Sequence, residues 1–468
     1  MSAPLWTARD AEAATGGRLI GGNWTARGVS IDTRTLEAGD LFVALADVRD
    51  GHDFVGAAFR AGASAALVSR EIADAPGPQL LVPDVLFALE RLGAAARARA
   101  AGATRVAITG SVGKTTVKEF TARGLGLSGA THRSVKSYNN HWGVPLTLAR
   151  MPAGTRFGVF EIGMNHAGEI ARLSPQVLPQ VAAVTIVEPV HIENFRDESG
   201  IADSKSEMWI GLAPGATALV NADNRWAWRL EARAAMRPDV AIARFGSGAG
   251  CDGRLVSQTP DGTGQTVEAE ILGRRLRYRV AEPGLHWGLN SVCAITLCAL
   301  AGGDAAAAAS VFEHMEALEG RGAVTRLSTA KGEITLIDEH YNANPVSMAG
   351  AIATLGARPA AGRRIAALGD MLELGDQEAA YHAALAEDLE KARIDLVFCA
   401  GPRMRALWDR LPESRQGGYA VEAADLASKV ANALAGGDMV MVKGSNGARM
   451  IRVVEAVKAL GQGGGHAR

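Results

Sequence analysis

A chain of 468 residues is longer than one ordinary domain, and its 48% apolar and 21% charged residues are those of a globular protein, not of a disordered or fibrous one. Lys and Arg (49) nearly cancel Asp and Glu (50), which removes the basic excess of a nucleic-acid binder. No run of about 18 apolar residues occurs and the N-terminus lacks an apolar signal core, so a cytoplasmic chain without a membrane span is expected.

The first segment runs to residue 83. It carries short strand-like runs at Leu41–Leu45 and Ala65–Val68 and closes on the Pro/Gly-rich APGPQ. Asp84 then reads as the N-cap of a helix with Val85, Leu89 and Leu92 on one face. The second segment, 84–324, begins helix, strand (Val106–Ile108), glycine loop, helix. Further strands are expected at Phe157–Ile162, Val181–Val187 and Ala216–Val220, the alternation of a largely parallel α/β sheet. Residues 245–282, rich in glycine and charge, read as a hairpin-like insertion. In the third segment, 325–468, strands at Ile334–Ile337, Arg364–Leu368, Leu396–Ala400 and Met439–Val442 alternate with helices at 346–356, 377–392, 423–435 and 447–460, a Rossmann-like layout. The final GQGGGHAR reads as a disordered tail. The expected fold is therefore α/β in three domains: 1–83, 84–324 and 325–468. The four cysteines, Cys251, Cys293, Cys298 and Cys399, form no CxxC pair and read as reduced thiols.

The chemistry concentrates in a few stretches. TGSVGKTTVKEF (109–120) departs from the usual phosphate loop, G-x-x-x-x-G-K-[ST], because Ile108 stands where the first glycine belongs. It still has the elements of an anion site: a strand, a glycine turn, and a helix whose first N–H groups and dipole favour negative charge. Lys114 would neutralise phosphate oxygens and the Thr115 hydroxyl would reach Mg²⁺. Glu161 ends an apolar strand, where a carboxylate suits a metal, or equally a helix cap or an ion pair. His191 and Glu193 follow another strand. Lys205, in a helical run, would ordinarily be a solvated lysine. The Asn-rich SYNNHWGVPLTL (137–148) and DEHYNANP (338–345) suit recognition of a base, ribose or amide, and suit turns as well.

Together these stretches resemble the Mur ligases, ATP-dependent peptide ligases of bacterial cell-wall precursor synthesis. SIDTRTLEAGDLFVAL and DGHDFV resemble the family's first domain. TGSVGKTTVKE, NNHWGVPLTL, EIGMNHAGEI and HIENF…KSEM resemble its ATPase domain, and LIDEHYNANPVSM, LGDMLELG and VKGSNGARM its C-terminal domain. The family's loop is the shorter G-x-x-G-K-[ST]-[ST]. The resemblance is greatest to members that join D-alanyl-D-alanine to a UDP-N-acetylmuramoyl-tripeptide, and it implies those two substrates, ATP, two Mg²⁺ sites and a monomer.

It further implies that Gly110, Ser111, Val112, Gly113, Lys114, Thr115 and Thr116 hold the ATP phosphates, Asn290 meets adenine, and Arg321, Tyr341 and Asn342 reach the nucleotide from the third domain. Thr115 and Glu161 would bind one Mg²⁺ and His191 a second. Lys205 would be a metal ligand as a carbamate formed from CO₂, and Lys114, Lys205 and His191 would form the catalytic set. Ser30, Thr33, Arg34, Asn139 and Asn140 would face the UDP-substrate. The implied chemistry is an acyl phosphate made from the tripeptide carboxylate and opened by the dipeptide amine, with rigid-body closure about a hinge near residue 325. The chain departs from the family in His286-Trp287 for His-Asn, in Glu339 for the usual Asp, and in Asn446 for the Arg that commonly follows KGS. A DNPR motif of the diamino-acid-adding members and an NKxD-like guanine motif are absent.

Overall fold

The computed structural model describes residues 3–135, 137–261, 264–282, 284–315 and 317–462; the tail expected at the C-terminus falls, for residues 463–468, outside the described residues. Three large sheets follow one another along the chain, and a two-stranded antiparallel pair, Trp6–Thr7 with Thr25–Ala26, accompanies the first. In the first segment β1 (Trp6–Thr7) leads into α1 (Ala8–Thr15), β2 (Arg18–Ile20), β3 (Thr25–Ala26), β4 (Gly28–Ser30), β5 (Asp40–Val43), α2 (Val55–Arg60), β6 (Ala65–Val68) and β7 (Gln79–Leu81). Strands β4, β5, β6 and β7 run parallel in that order, with β2 antiparallel on β7. Alternate residues of β5 face opposite sides, so Leu41 and Val43 join Trp6, Leu67 and Leu80 in one core and Phe42 joins Val55 and Ala58 in another.

The helix expected after Asp84 is α3 (Val85–Arg99), and the Asp84 carboxylate accepts from Phe87 N, satisfying one of the free N–H groups at its start. Its buried residues, Val85, Leu89 and Leu92, lie in the core of the first sheet. The Trp6 indole N–H donates to the Ala149 carbonyl across the same seam (2.9 Å).

The second sheet is built from β8 (Thr104–Thr109), α4 (Lys114–Gly126), β9 (Thr131–Arg133), α5 (Gly143–Ala149), β10 (Phe157–Glu161), α6 (Glu169–Val177), β11 (Val181–Val184), α7 (Glu198–Ser206), β12 (Thr217–Asn221), α8 (Ala227–Ala234), β13 (Ala241–Gly246), β14 (Gly253–Pro260), β15 (Gln265–Ile271), β16 (Arg274–Val280), α9 (Leu285–Leu300) and α10 (Ala305–Ser310). Its nine strands stand in the order β16-β15-β14-β13-β12-β11-β8-β10-β9, parallel from β9 to β14. Residues 245–282 are not an insertion. They extend the sheet by three strands, the last two paired antiparallel, because alternate residues Val267, Ala269, Ile271, Tyr278 and Val280 are buried in the same core as α9. The α4 and α9 residues cover one face and those of α6 and α7 the other. The chain leaves β8 for β9 and β10 on one side and later builds β11 to β13 on the other, so the strand order reverses at β8, where an open α/β sheet offers its crevice.

The third sheet comprises β17 (Ala323–Thr329), β18 (Gly332–Glu339), β19 (Arg364–Gly369), β20 (Leu396–Ala400), β21 (Gln416–Ala420) and β22 (Met439–Lys443), ordered β17-β18-β22-β19-β20-β21 and parallel except for β17. Helices α11 (Pro345–Ala357), α12 (Glu378–Lys391), α13 (Arg405–Trp408), α14 (Ala423–Ala433) and α15 (Ile451–Gln462) cover its two faces. The position between residues 324 and 325 falls inside β17. Because α3 ties the first sheet to the second, Asp84→Ala should cost about 1 kcal/mol of helix stability, read as a lower urea midpoint with an unchanged slope in the transition that reports the Trp6 environment.

Candidate active site

The glycine loop leaves β8 at the point of reversal. Val106 and Ile108 are wholly buried in the sheet, so the position at which the longer motif wants a glycine is strand interior here and cannot serve as loop. Gly110 (φ 147°) and Gly113 (φ 84°) turn the chain into α4, and a Cβ on Gly110 would lie 1.9 Å from Thr185 Oγ1. The segment after β11 clasps the loop: Ser111 N donates to Ile186 O (2.7 Å), Ser111 Oγ donates to Glu188 O (2.9 Å) and accepts from Glu188 N, and Thr185 Oγ1 donates to Val112 O (2.6 Å). That segment is itself held, as Asn221 Nδ2 donates to Thr185 O and Asn224 Nδ2 to Val187 O. No side chain caps the start of α4, which leaves its first N–H groups to an anion. Asn290 on α9 lies against the loop, its Oδ1 3.0 Å from where a Gly113 Cβ would stand.

Lys114 Nζ donates to the Gly110 carbonyl (2.6 Å) and the Ser111 carbonyl (3.1 Å). Burial pushes its ammonium down to about 8, against an upward pull from Glu161 and with a further downward push from Arg321. Thr115 Oγ1 lies 3.4 Å from Ser137 Oγ, which also accepts from Arg321 Nη2 (3.3 Å). Arg321 reaches in from the connection to β17 and stacks on the Tyr341 ring at 4.2 Å. Thr116, in the first turn of α4, is half-buried.

Glu161 ends β10, paired with Ile108 of β8, and is 1% exposed. Asn139 Nδ2 donates to its Oε1 (2.7 Å), while its Oε2 is buried without a partner. A buried carboxylate oxygen left unsatisfied is costly unless a cation completes it. Glu161 and the Thr115 hydroxyl, touched by Asn139 and Ser137 of one short segment, offer hard oxygens that fit Mg²⁺, and since the described residues hold no group of three or more His, Cys, Asp or Glu that could bind a metal, the remaining coordination would come from phosphate and water.

His191 has a left-handed backbone (φ 57°), and its Nδ1 pairs with Glu373 Oε2 in the loop after β19. Burial lowers its pKa, opposed by Glu373, with Lys114 and Lys205 pushing further down. Lys205 on α7 is 3% exposed, and its ammonium makes no hydrogen bond or ion pair among the described residues. Burial first, and Lys114 second, push its ammonium well below the usual lysine range.

The remaining expected residues are placed as follows. Tyr341 and Asn342 are exposed; Asn342 Oδ1 accepts from Ala343 N, and its carbonyl accepts from Lys443, whose ammonium also pairs with Glu339 (3.0 Å). Asn344 is a cap, forming a reciprocal capping box with Ser347 ahead of Pro345. Asn446 is exposed in a short turn after β22. Trp287, in place of the family Asn, is buried and packs on Phe120 (centroids 5.7 Å apart). Asn140 Oδ1 accepts from Gly143 N, so both asparagines of the NN pair have partners within the chain. Ser30 Oγ donates to Asp32 O, Thr33 is half-buried, and the exposed Arg34 guanidinium grips Asp32. The site thus gathers Gly110–Thr115, Glu161, Asn290 and Arg321, with Lys114 and Lys205 close enough to His191 to lower its pKa. Ser30 ends β4 and Thr33 and Arg34 lie on the loop after it, with Arg34 in electrostatic reach of Tyr138.

Two family models match the chain, the Mur ligase middle domain over residues 108–298 and the Mur ligase glutamate ligase domain over 323–446. The chain is 34% identical to the UDP-N-acetylmuramoyl-tripeptide–D-alanyl-D-alanine ligase of Escherichia coli (strain K12), over 95% of this chain and 96% of that one. The crystal structure of MurF from Acinetobacter baumannii superposes with a TM-score of 0.83 at 26% identity, covering 98% of this chain and 99% of its own. The MurF ligase of Thermotoga maritima in complex with ADP gives 0.75 at 24%, covering 93% and 98%, and shares the fold.

The lowered Lys114 pKa has a measurable consequence. A protonated lysine attracts phosphate and a neutral one does not, so affinity for a nucleoside diphosphate without metal should be flat well below pH 8. Above about 8 it should fall by up to about tenfold per unit, with proton uptake on binding. Calorimetry in buffers of different ionisation heat reads both, and uptake absent above pH 8 would contradict it.

Proposed function

Because the chain belongs to the Mur ligases, we propose that the loop after β8 and the residues gathered around it carry the reaction of that family. The enzyme is an ATP-dependent ligase that joins D-alanyl-D-alanine to UDP-N-acetylmuramoyl-tripeptide in peptidoglycan precursor synthesis. The three-domain Mur ligase fold, with a central nucleotide-binding domain, is that of its structural relatives. What carries the assignment of the site is Glu161 Oε2, buried and unpartnered, on the strand next to the one that feeds the phosphate loop.

In this reading residues 1–83 hold the UDP-substrate through Ser30, Thr33 and Arg34, assisted by Asn139 and Asn140. Residues 84–324 hold ATP, and 325–468 bring Tyr341 and Asn342 to the nucleotide and receive the dipeptide. The free N–H groups from Gly110 to Thr116 and the Lys114 ammonium cradle the phosphates, and Asn290 meets the base. The tripeptide carboxylate attacks the γ-phosphorus, giving an acyl phosphate and ADP; the dipeptide amine then attacks the acyl carbon, and the tetrahedral intermediate releases phosphate.

Lys114, Arg321 and the α4 N-terminus hold the transferring group against the repulsion between two anions. Mg²⁺, held by Thr115 and Glu161 with a second ion at His191, would neutralise phosphate charge. Lys205 is a candidate for the carbamate, on physical grounds. A buried amine whose pKa is pushed down gives up its proton more readily and so becomes nucleophilic toward CO₂, and the product sets an anion, in place of a second ammonium, beside Lys114. No helix among the described residues is long and apolar enough to cross a membrane; a cytoplasmic location belongs to the same proposal.

ADP release with UDP-N-acetylmuramoyl-tripeptide should require D-alanyl-D-alanine. Comparing meso-diaminopimelate and lysine tripeptides then identifies the third residue, and equal turnover without the dipeptide would sink the reading. Lys205→Ala should lose at least about 100-fold in kcat, with partial recovery in high acetate, whose carboxylate can stand in for the carbamate. A fully active variant would remove Lys205 from the site.

A further inference from the structure

Glu373 has no role in the reaction described so far. It lies in the loop between β19 and α12 of the third sheet, yet its carboxylate meets Nδ1 of His191, which lies in the loop after β11 of the second. Both residues adopt left-handed backbone conformations (φ 63° and 57°), which residues with a Cβ seldom take. The approach of the loops continues beyond this pair, as a Cβ on Gly375 would stand 3.7 Å from Glu193 Cα. Two uncommon backbone conformations meeting at one contact between separate sheets are the pattern expected where surroundings over-determine a functional geometry.

We propose that Glu373 is a positioning residue for His191, one that fixes which ring nitrogen faces a ligand and makes that choice depend on docking of the third domain. An imidazole whose Nδ1–H donates to a carboxylate carries its free lone pair on Nε2 and is held in one orientation. The tautomer assignment follows from the acceptor that Glu373 provides. With the third domain displaced, Glu373 leaves with it and His191 loses both the tautomer lock and the orientation. A divalent cation bound through His191 would then be held tightly only in the docked arrangement, when the nucleotide is also covered by Tyr341 and Arg321. This rests on the reading of His191 as a metal ligand.

The test uses Mn²⁺, whose free fraction is read by electron paramagnetic resonance on the full chain with ADP bound. Glu373→Asn suits the left-handed backbone but cannot reach His191; Glu373→Gln keeps the reach and an accepting oxygen. Glu373→Asn should weaken the histidine-linked Mn²⁺ site by about 10–100-fold and lower kcat similarly, with KM for ATP within about twofold. Glu373→Gln should recover most of the loss. In a His191→Ala background Glu373→Asn should have no further effect on Mn²⁺ binding. Wild-type Mn²⁺ affinity in Glu373→Asn, or an undiminished loss in the His191→Ala background, would overturn the proposal. Loss of the dipeptide requirement in the wild-type ADP-release assay would overturn the ligase reading instead, leaving the Mn²⁺ comparison to decide the role of Glu373.

Discussion

Two lysines held within electrostatic reach of each other, the half-buried Lys114 and the buried Lys205, are the constraint around which the rest of this site is arranged. Burial pushes the pKa of both down, and Lys114 pushes that of Lys205 further. Arg321 adds to the crowding at Lys114, and Glu161 is the named charge that relieves it. Such an arrangement is unfavourable in the free protein and becomes favourable when anions enter. The glycine loop with its uncapped helix start invites the same charge from the other side. In the proposed reading, Lys114 and Arg321 leave positive charge at the loop that phosphate binding would relieve.

That charge is useful only if the surrounding backbone does not collapse onto it. The sheet supplies the rigidity. Glu161 is fixed by pairing of β10 with β8, and the loop by the residues after β11, so three adjacent parallel strands set the distances among carboxylate, lysine and glycine turn. Asn139 takes one oxygen of Glu161 and leaves the other bare. Ser137, two residues earlier, touches both Thr115 and Arg321. One short segment therefore touches Glu161, Thr115 and Arg321 together, while Tyr138 between its two ends packs near Arg150, whose Nε donates to Val29 O in the first sheet.

Much of the strand framework is legible in the sequence because a parallel strand buried on both faces is a bare apolar run; Phe157–Ile162 and Leu396–Ala400 are read almost to the residue. The segment 245–282 is hairpin-like as expected but continues the central sheet, which its alternating charge hides because its strands are buried on one face only. In the site, the loop and its lysine are visible in local pattern. The clasp by Ser111, Thr185, Asn221 and Asn224 is not, since each bond links residues far apart whose types are ordinary in turns. DEHYNANP shows both outcomes in one stretch, with Asn344 spent on a helix cap while Tyr341 sits under Arg321. Glu373 lay in a motif, LGDMLELG, that carried family resemblance but no residue-level chemistry.

The shortened loop now has a physical explanation within this chain. A longer loop needs an extra glycine ahead of Gly110, but Ile108 is committed to the sheet and pairs with Glu161 at that level. Moving the strand end back to make room would withdraw Ile108 from its core and would also shift the partner that fixes Glu161. The short turn and the position of the carboxylate are thus one constraint. The Gly110 backbone has to pass close to Thr185, closer than any Cβ permits, so that Lys114 can begin the helix at the level where Glu161 ends its strand. The same turn keeps the Lys114 ammonium within the electrostatic reach of Glu161.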